Sequence, residues 1–200
     1  VEHYLDEISK ITGREYHLFS YYGDKEADRV IILMGSATEA AREAIDYLNK
    51  NGEKVGMVSV HLYRPFSVKH LLAAVPKTAK KIAVLDRTKE PGAEGEPLYL
   101  DVKSAFYDVE DRPVIVGGRY GLGSSDTTPA KIIAVFNNLK LDTPKNHFTV
   151  GIVDDVTFTS LPEVEEIPMG GNGMFEAKFY GLGADGTVGA NKNSVKIIGD

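Results

Sequence analysis

Four short apolar runs punctuate the chain at similar intervals: Val30 to Met34, Val55 to Val60, Ile82 to Leu85 and Val114 to Val116. A strand with one wet face would alternate, so runs with almost no polar position read as strands buried on both faces. After each run, apolar residues recur every three or four positions. They are Ala41, Ala44, Ile45 and Leu48; then Val68, Leu71, Leu72 and Val75; then Leu98, Val102 and Ala105; then Ile132, Ile133, Phe136 and Leu139. That spacing marks one face of an α-helix. Four such strand–helix units predict an α/β domain with a doubly wound, mostly parallel sheet whose helices cover both faces. The domain is expected to close near Asp142.

Boundary residues agree with this reading. Ser36 and Glu39 have the spacing of a capping box, and Asn51-Gly52 ends the helix they would start. Ser67 is placed to cap the next helix and Pro76 to stop it, while Pro97 and Thr128-Pro129 fit first-turn positions. Ahead of the first unit, Val1 to Thr12 predicts an amphipathic helix with Tyr4, Leu5, Ile8 and Ile11 on one side and Gly13 as its left-handed cap. Leu18 to Tyr22 fits either an extra strand or a packed linker. From Thr143 the texture changes: His147 to Val153 and Val156 to Phe158 suggest a short hairpin or arm around Asp154-Asp155, and Pro162 to Pro168 a linker. Met174 to Tyr180 then predicts a new strand, followed by a glycine-rich turn and a helix. The expected division is 1–142 as the α/β domain, 143–173 as arm and linker, and 174–200 as the beginning of a further, incomplete domain. One strand and one helix cannot bury a core, so the chain reads as a piece of a longer polypeptide.

Composition narrows the function. A formal net charge of −6 with no Lys/Arg run argues against binding nucleic acid or an anionic membrane surface, both of which need a basic patch. No apolar stretch is long enough to span a bilayer and no secretory leader is evident, so a soluble, cytoplasmic protein is expected. The absence of cysteine excludes disulfides, thiol nucleophiles and Cys-ligated iron–sulfur clusters within these 200 residues. Five histidines lack HExxH or HxxxH spacing, so zinc has no sequence case.

Two places carry candidate chemistry. In parallel sheets ligands sit beyond the carboxyl ends of the strands, where Arg64, the run Asp86-Arg87-Thr88-Lys89-Glu90, and Arg119 are expected. They make either a cluster of ion pairs holding an interface, the commoner case, or a site. The second place is Gly181-Leu182-Gly183-Ala184-Asp185-Gly186, a GxGxxG turn leading into the last helix. It is either a tight strand-to-helix turn or a phosphate cradle to which Lys192 adds charge. A dinucleotide-binding Rossmann domain is the weaker reading, because the GxGxxG lies at the far end of these 200 residues and the acidic position about twenty residues on falls past Asp200.

Several runs together resemble one family. They are Leu62-Tyr63-Arg64-Pro65-Phe66; Val84-Leu85-Asp86-Arg87-Thr88-Lys89-Glu90-Pro91-Gly92-Ala93; Gly118-Arg119-Tyr120-Gly121-Leu122; His147 to Ile152 with Asp154-Asp155-Val156-Thr157; and Tyr180-Gly181-Leu182-Gly183 through Asn193. Over essentially the whole chain these are similar to an internal section of pyruvate:ferredoxin (flavodoxin) oxidoreductases. The resemblance implies a first domain like the carboxy-terminal domain of transketolase, with one antiparallel edge strand, followed by the start of a domain like the gamma subunit of multisubunit 2-oxoacid:ferredoxin oxidoreductases. It implies a parent enzyme, a homodimer, that converts pyruvate and coenzyme A to acetyl-CoA and carbon dioxide and reduces ferredoxin or flavodoxin. Thiamine diphosphate, magnesium and iron–sulfur clusters belong to the parent's other domains. This chain has neither Cys nor the GDG-to-Asn signature of thiamine enzymes, and no cofactor is expected within it. Gly189, Ala190, Asn191, Lys192 and Asn193 resemble a coenzyme A contact; no catalytic or metal-binding residue is carried over. The piece alone is expected to be inactive. The alternative is a stand-alone α/β module that binds an anion or a partner protein through its charged loop edge.

Overall fold

The computed structural model describes residues 1–167, 177–183 and 185–199, in two compact units, Val1–Ile167 and Pro168–Asp200. The first unit runs α1 (Glu2–Thr12), β1 (Phe19–Gly23), β2 (Arg29–Leu33), α2 (Ala37–Lys50), β3 (Val55–Val60), α3 (Val68–Ala74), β4 (Lys81–Asp86), α4 (Pro97–Ala105), β5 (Val114–Arg119), α5 (Pro129–Lys140) and β6 (Phe148–Thr149). Its strands form one sheet in the order β1-β3-β2-β4-β5-β6. Only β1, on the edge, is antiparallel to its neighbour; β2 through β6 are parallel. The α/β, mostly parallel architecture expected from the apolar runs is therefore present, with Leu18 to Tyr22 resolved in favour of a strand.

Period-2 geometry sorts the core into two layers. Ile31 and Leu33 of β2, with Ala83 and Leu85 of β4, pack under α2 and α5, while Val30, Ile32, Ile82 and Val84 pack under α3 and α4. All eight are buried. Strand β5 meets this double burial with Gly117-Gly118. A Cβ on Gly117 would lie 2.8 Å from the ring of Tyr99, and one on Gly118 2.1 Å from the ring of Phe148. The two glycines thus admit one fully buried aromatic to each face of the strand.

Helix starts depart from the sequence expectation. Ser36 itself has helical angles (φ −64°, ψ −20°) and makes no side-chain cap, so its hydroxyl is not aimed at the first free N–H groups. Glu39 lies 3.8 Å from Arg42 instead of closing a capping box. The Ser67 hydroxyl bonds His70 Nδ1 at 2.6 Å rather than an amide. Helix α4 is capped from a distance: the Asp86 carboxylate, at the end of β4, accepts the N–H groups of Leu98 (3.0 Å) and Tyr99 (3.1 Å). Burial raises the Asp86 pKa, the two amides lower it, and Glu96 and Asp101 raise it further, for a net upward shift.

At the ends of this unit, α1 forms and closes at Gly13 with φ 69° as expected. Leu5 packs on the core, but Tyr4 and Ile11 stay exposed, so the predicted apolar face has no cover among the described residues. Of the two readings for residues 147–158, hairpin or arm, the hairpin is not formed. Residues 148–149 add a strand parallel to β5, and Thr149 bridges Ser160, also in parallel. The bend between them is fastened by Asp154, which accepts the N–H groups of Val156, Thr157 and Thr159 and both threonine hydroxyls. These bonds hold the Asp154 carboxyl well below the usual carboxylate range. Val164 and Ile167 pack against the core layer of α2 and α5.

Two predictions follow from these contacts. Gly118→Ala, forcing a methyl into the Phe148 ring, lowers unfolding free energy by about 1–3 kcal/mol in urea titration; wild-type stability would refute the close packing. Asp86 has a raised folded pKa, so its ionised form is the costly one, and its contribution declines as pH rises from the ordinary value of 3.8 through the raised one. Asp86→Asn removes this titration. The stability advantage of wild type over the variant therefore shrinks with rising pH across that interval, and a difference flat with pH would contradict the assignment.

Candidate functional site

The carboxyl ends of the parallel strands gather the charged loops, but the structure divides their residues into two kinds. Arg64 and Arg119 are structural. Arg64 Nη2 bonds Asp101 Oδ2 of α4 at 2.7 Å and the Tyr63 hydroxyl at 3.0 Å, with its guanidinium carbon 3.8 Å from the Tyr63 ring centre. Tyr63 also donates to Asp101 at 2.9 Å, and its pKa is raised, first by burial and then by this bond. Arg64 thus ties the loop after β3 to α4. Arg119 donates to the His147 carbonyl at 2.6 Å and lies 3.8 Å from Glu96 Oε1. This pair is largely buried, and Arg119 Nε and Glu96 Oε2 find no partner among the described residues. Arg119 holds the chain where it enters β6.

Arg87, Lys89 and Glu90 are exposed and, among the described residues, make no ion pair. Arg87 differs from the other two in facing a cavity of about 250 Å³. Ser36, Ala37, Tyr120 and residues 124–127 complete its lining. Tyr120 is buried, and its pKa is raised by burial against the opposing effect of Arg87. Sequence reasoning placed Arg87 at the right edge but gave no sign of Ser36 and residues 124–127, because loops from three strands converge here.

The second unit contributes the glycine-rich turn and α6 (Thr187–Gly199). The strand expected over Met174 to Tyr180 lies partly outside the described residues, and 177–180 are not in a strand. Ala184 of the GxGxxG run is likewise outside them. The Asp185 carboxylate accepts the N–H groups of Thr187 (2.9 Å) and Leu182 (3.2 Å). Its pKa is lowered, chiefly by hydrogen bonding to Thr187. The chain's own carboxylate therefore takes the place at the helix start that a phosphate cradle would offer a ligand. Gly189, Ala190, Asn191, Lys192 and Asn193 follow, all within α6. Gly189, Lys192 and Asn193 share one exposed face at i, i+3 and i+4 spacing, and a Cβ at Gly189 would meet nothing within 4 Å. Asn191 is half-buried. The helix thus presents one cation, one amide side chain and an uncovered length of backbone on a single surface.

Among the described residues no helix is long and apolar enough to cross a membrane. Curated relatives match along the whole chain. Identity is 61% to a pyruvate-flavodoxin oxidoreductase of Enterobacter agglomerans and 55% to the pyruvate:ferredoxin oxidoreductase of Moorella thermoacetica, covering 100% and 98% of this chain. The chain spans 17% of the length of each. A solved 2-oxoglutarate:ferredoxin oxidoreductase from Magnetococcus marinus aligns with 67% of this chain and 21% of its own, at 21% identity and a TM-score of 0.43. The family profile of pyruvate:ferredoxin oxidoreductase core domain II matches residues 27–132. The chain belongs to that family.

Proposed function

We propose that this chain is a section of a pyruvate:ferredoxin or pyruvate:flavodoxin oxidoreductase. The parent enzyme oxidises pyruvate with loss of carbon dioxide, transfers the acetyl group to coenzyme A, and passes the electrons to ferredoxin or flavodoxin. The observation that carries this reading is the end-to-end match, at 61% identity, to a relative that bears the activity in its name. In this reading the parent is a cytoplasmic homodimer, and residues 1–142 are its transketolase-like α/β domain, 143–173 an arm and linker, and 174–200 the start of its gamma-like domain.

Thiamine diphosphate, magnesium and iron–sulfur clusters supply the decarboxylation and electron-transfer chemistry of such an enzyme. The residues here do not fit them. The chain has no Cys to ligate a cluster, and among the described residues no three His, Asp or Glu side chains are grouped to hold a metal. In this reading the part taken by this chain is scaffolding plus one wall of the coenzyme A site, and the isolated chain is expected not to turn over pyruvate.

For that wall the face of α6 is the natural surface. Lys192 supplies charge for a phosphate of the coenzyme, Asn193 supplies an amide donor and acceptor, and Gly189 lets the ligand approach the backbone, while Ala190 and Asn191 lie off this face. Most of the coenzyme would still be in water on this wall alone, so tight binding needs the rest of the parent. The test is isothermal titration of coenzyme A into the parent enzyme, wild type beside Lys192→Ala. The expected loss is about 1.5–3 kcal/mol, the range for a charge-assisted hydrogen bond. Unchanged affinity in a folded variant would remove this face from the site.

A further inference from the structure

The cavity beside Arg87 has no task in the reading above. It opens where the chain reverses direction across the sheet: β2 is followed by β3 on one side, and β4 returns to the other. Crevices at such reversals, beyond the strand carboxyl ends, are where open α/β sheets take ligands. The lining is rich in hydroxyls, from Ser36, Tyr120, Ser124, Ser125 and Thr127, and holds one cation, Arg87. Arg29, Arg42, Arg64 and Arg119 each face a carboxylate, whereas Arg87, like Arg14 and Arg112, makes no ion pair among the described residues; of these three it is the one that lines this cavity.

The walls are built rather than incidental. Gly121 takes φ +61°, and a Cβ there would lie 2.9 Å from Arg87 Nε, so the loop after β5 lies directly against the arginine and limits its swing. Ser125 donates to the Gly151 carbonyl at 2.7 Å and accepts from Lys131 at 2.9 Å, which pins the opposite wall. Ser124, beside it, holds a left-handed φ of 58°. Asp126 also lines the cavity. A carboxylate repels a bare anion but accepts from a ligand that brings a P–OH or sugar hydroxyl.

We propose that this cavity binds a small phosphorylated metabolite, its phosphoryl group neutralised by Arg87 and hydrogen-bonded by the hydroxyls of Ser36, Ser124 and Thr127, since Tyr120 and Ser125 already donate to the Met34 and Gly151 carbonyls. A planar guanidinium fork among hydroxyl donors matches phosphoryl oxygens. At about 250 Å³ the space falls below the range of drug-sized sites, so it takes a phosphoryl group with a few carbons and not a dinucleotide. The site rests on the first unit alone and stands or falls separately from the α6 face.

The experiment is a titration of the ¹⁵N-labelled 200-residue chain with inorganic phosphate at constant ionic strength, following the amides of Gly121, Ser124 and Thr127. Saturable shifts at these amides are expected, with a Kd on the order of 1 mM or tighter. Arg87→Gln weakens binding by about tenfold or more, and Arg87→Lys, which keeps the charge and loses the fork, falls between. Lys89→Gln, an exposed cation two residues along, changes it by no more than about twofold, as general screening would. No saturable shift at these amides overturns the proposal, as does equal weakening by the Lys89 variant or unchanged affinity in both Arg87 variants.

Discussion

Burial of β2 and β4 on both faces is the constraint from which the rest of the first unit follows. Ile31, Ile32 and Leu33, with Ile82, Ala83, Val84 and Leu85, present no polar side chain to either helical layer. Polar chemistry is thereby driven to the strand ends. At the amino ends Glu53 pairs with Arg29 at 2.8 Å and also takes a bond from Lys140, clamping the start of β2 to the end of α5. At the carboxyl ends Asp86 accepts two amides of α4 while its neighbours Glu96 and Arg119 pair beneath. Ion pairs therefore stand at both ends of the sheet, and at the carboxyl end the loops after β2, β4 and β5 also line a cavity.

Asp86 also shows how position outweighs charge. An aspartate beside an arginine in sequence reads as half of a surface ion pair, yet Asp86 turns inward and Arg87 outward. The inward carboxylate is buried at a cost, seen in its raised pKa, and the cost is offset by two amide N–H groups that α4 would otherwise leave unsatisfied. The outward arginine retains its solvated charge. This division by period-2 geometry at the last residue of a strand separates a structural residue from one free to meet a ligand.

The central strands, their helices and the location of the charged loops were legible in the sequence because hydrophobic period is set locally. Strand order was not, since the reversal between β2 and β4 depends on which edge each crossover reaches. Between the hairpin and the arm read for this stretch, the hairpin is set aside for a related reason. His147 to Phe158 alternates well enough for a strand pair, but Asp154 collects five donors within the bend and Phe148 is drawn to the gap over Gly118. Tertiary demand overrode the local pattern. The capping box failed because Ser36, at the cap position, takes helical backbone angles and its side chain makes no cap hydrogen bond. Of the candidate site, Arg87 and the residues of α6 could be read from sequence, whereas Ser36 and residues 124–127 could be placed only once three loops were seen to converge.

The tetrapeptide Tyr-Gly-Leu-Gly occurs twice, at Tyr120–Gly123 and Tyr180–Gly183, and its two settings show what a glycine motif can and cannot say. In the first, Tyr120 is buried and Gly121 lies at positive φ against Arg87. That turn shapes a cavity with a cation in its wall. In the second, Tyr180 and Leu182 are exposed, Gly181 lies against Thr187, and Asp185 occupies the helix start. That turn already satisfies its own donors with a carboxylate. The second occurrence belongs to the GxGxxG run, which the sequence offers as a phosphate cradle, yet the first has the arginine without an ion pair among the described residues and a cavity beside it. Anion binding is decided by which donors remain unspent after the chain has satisfied itself, and the motif alone does not record that balance.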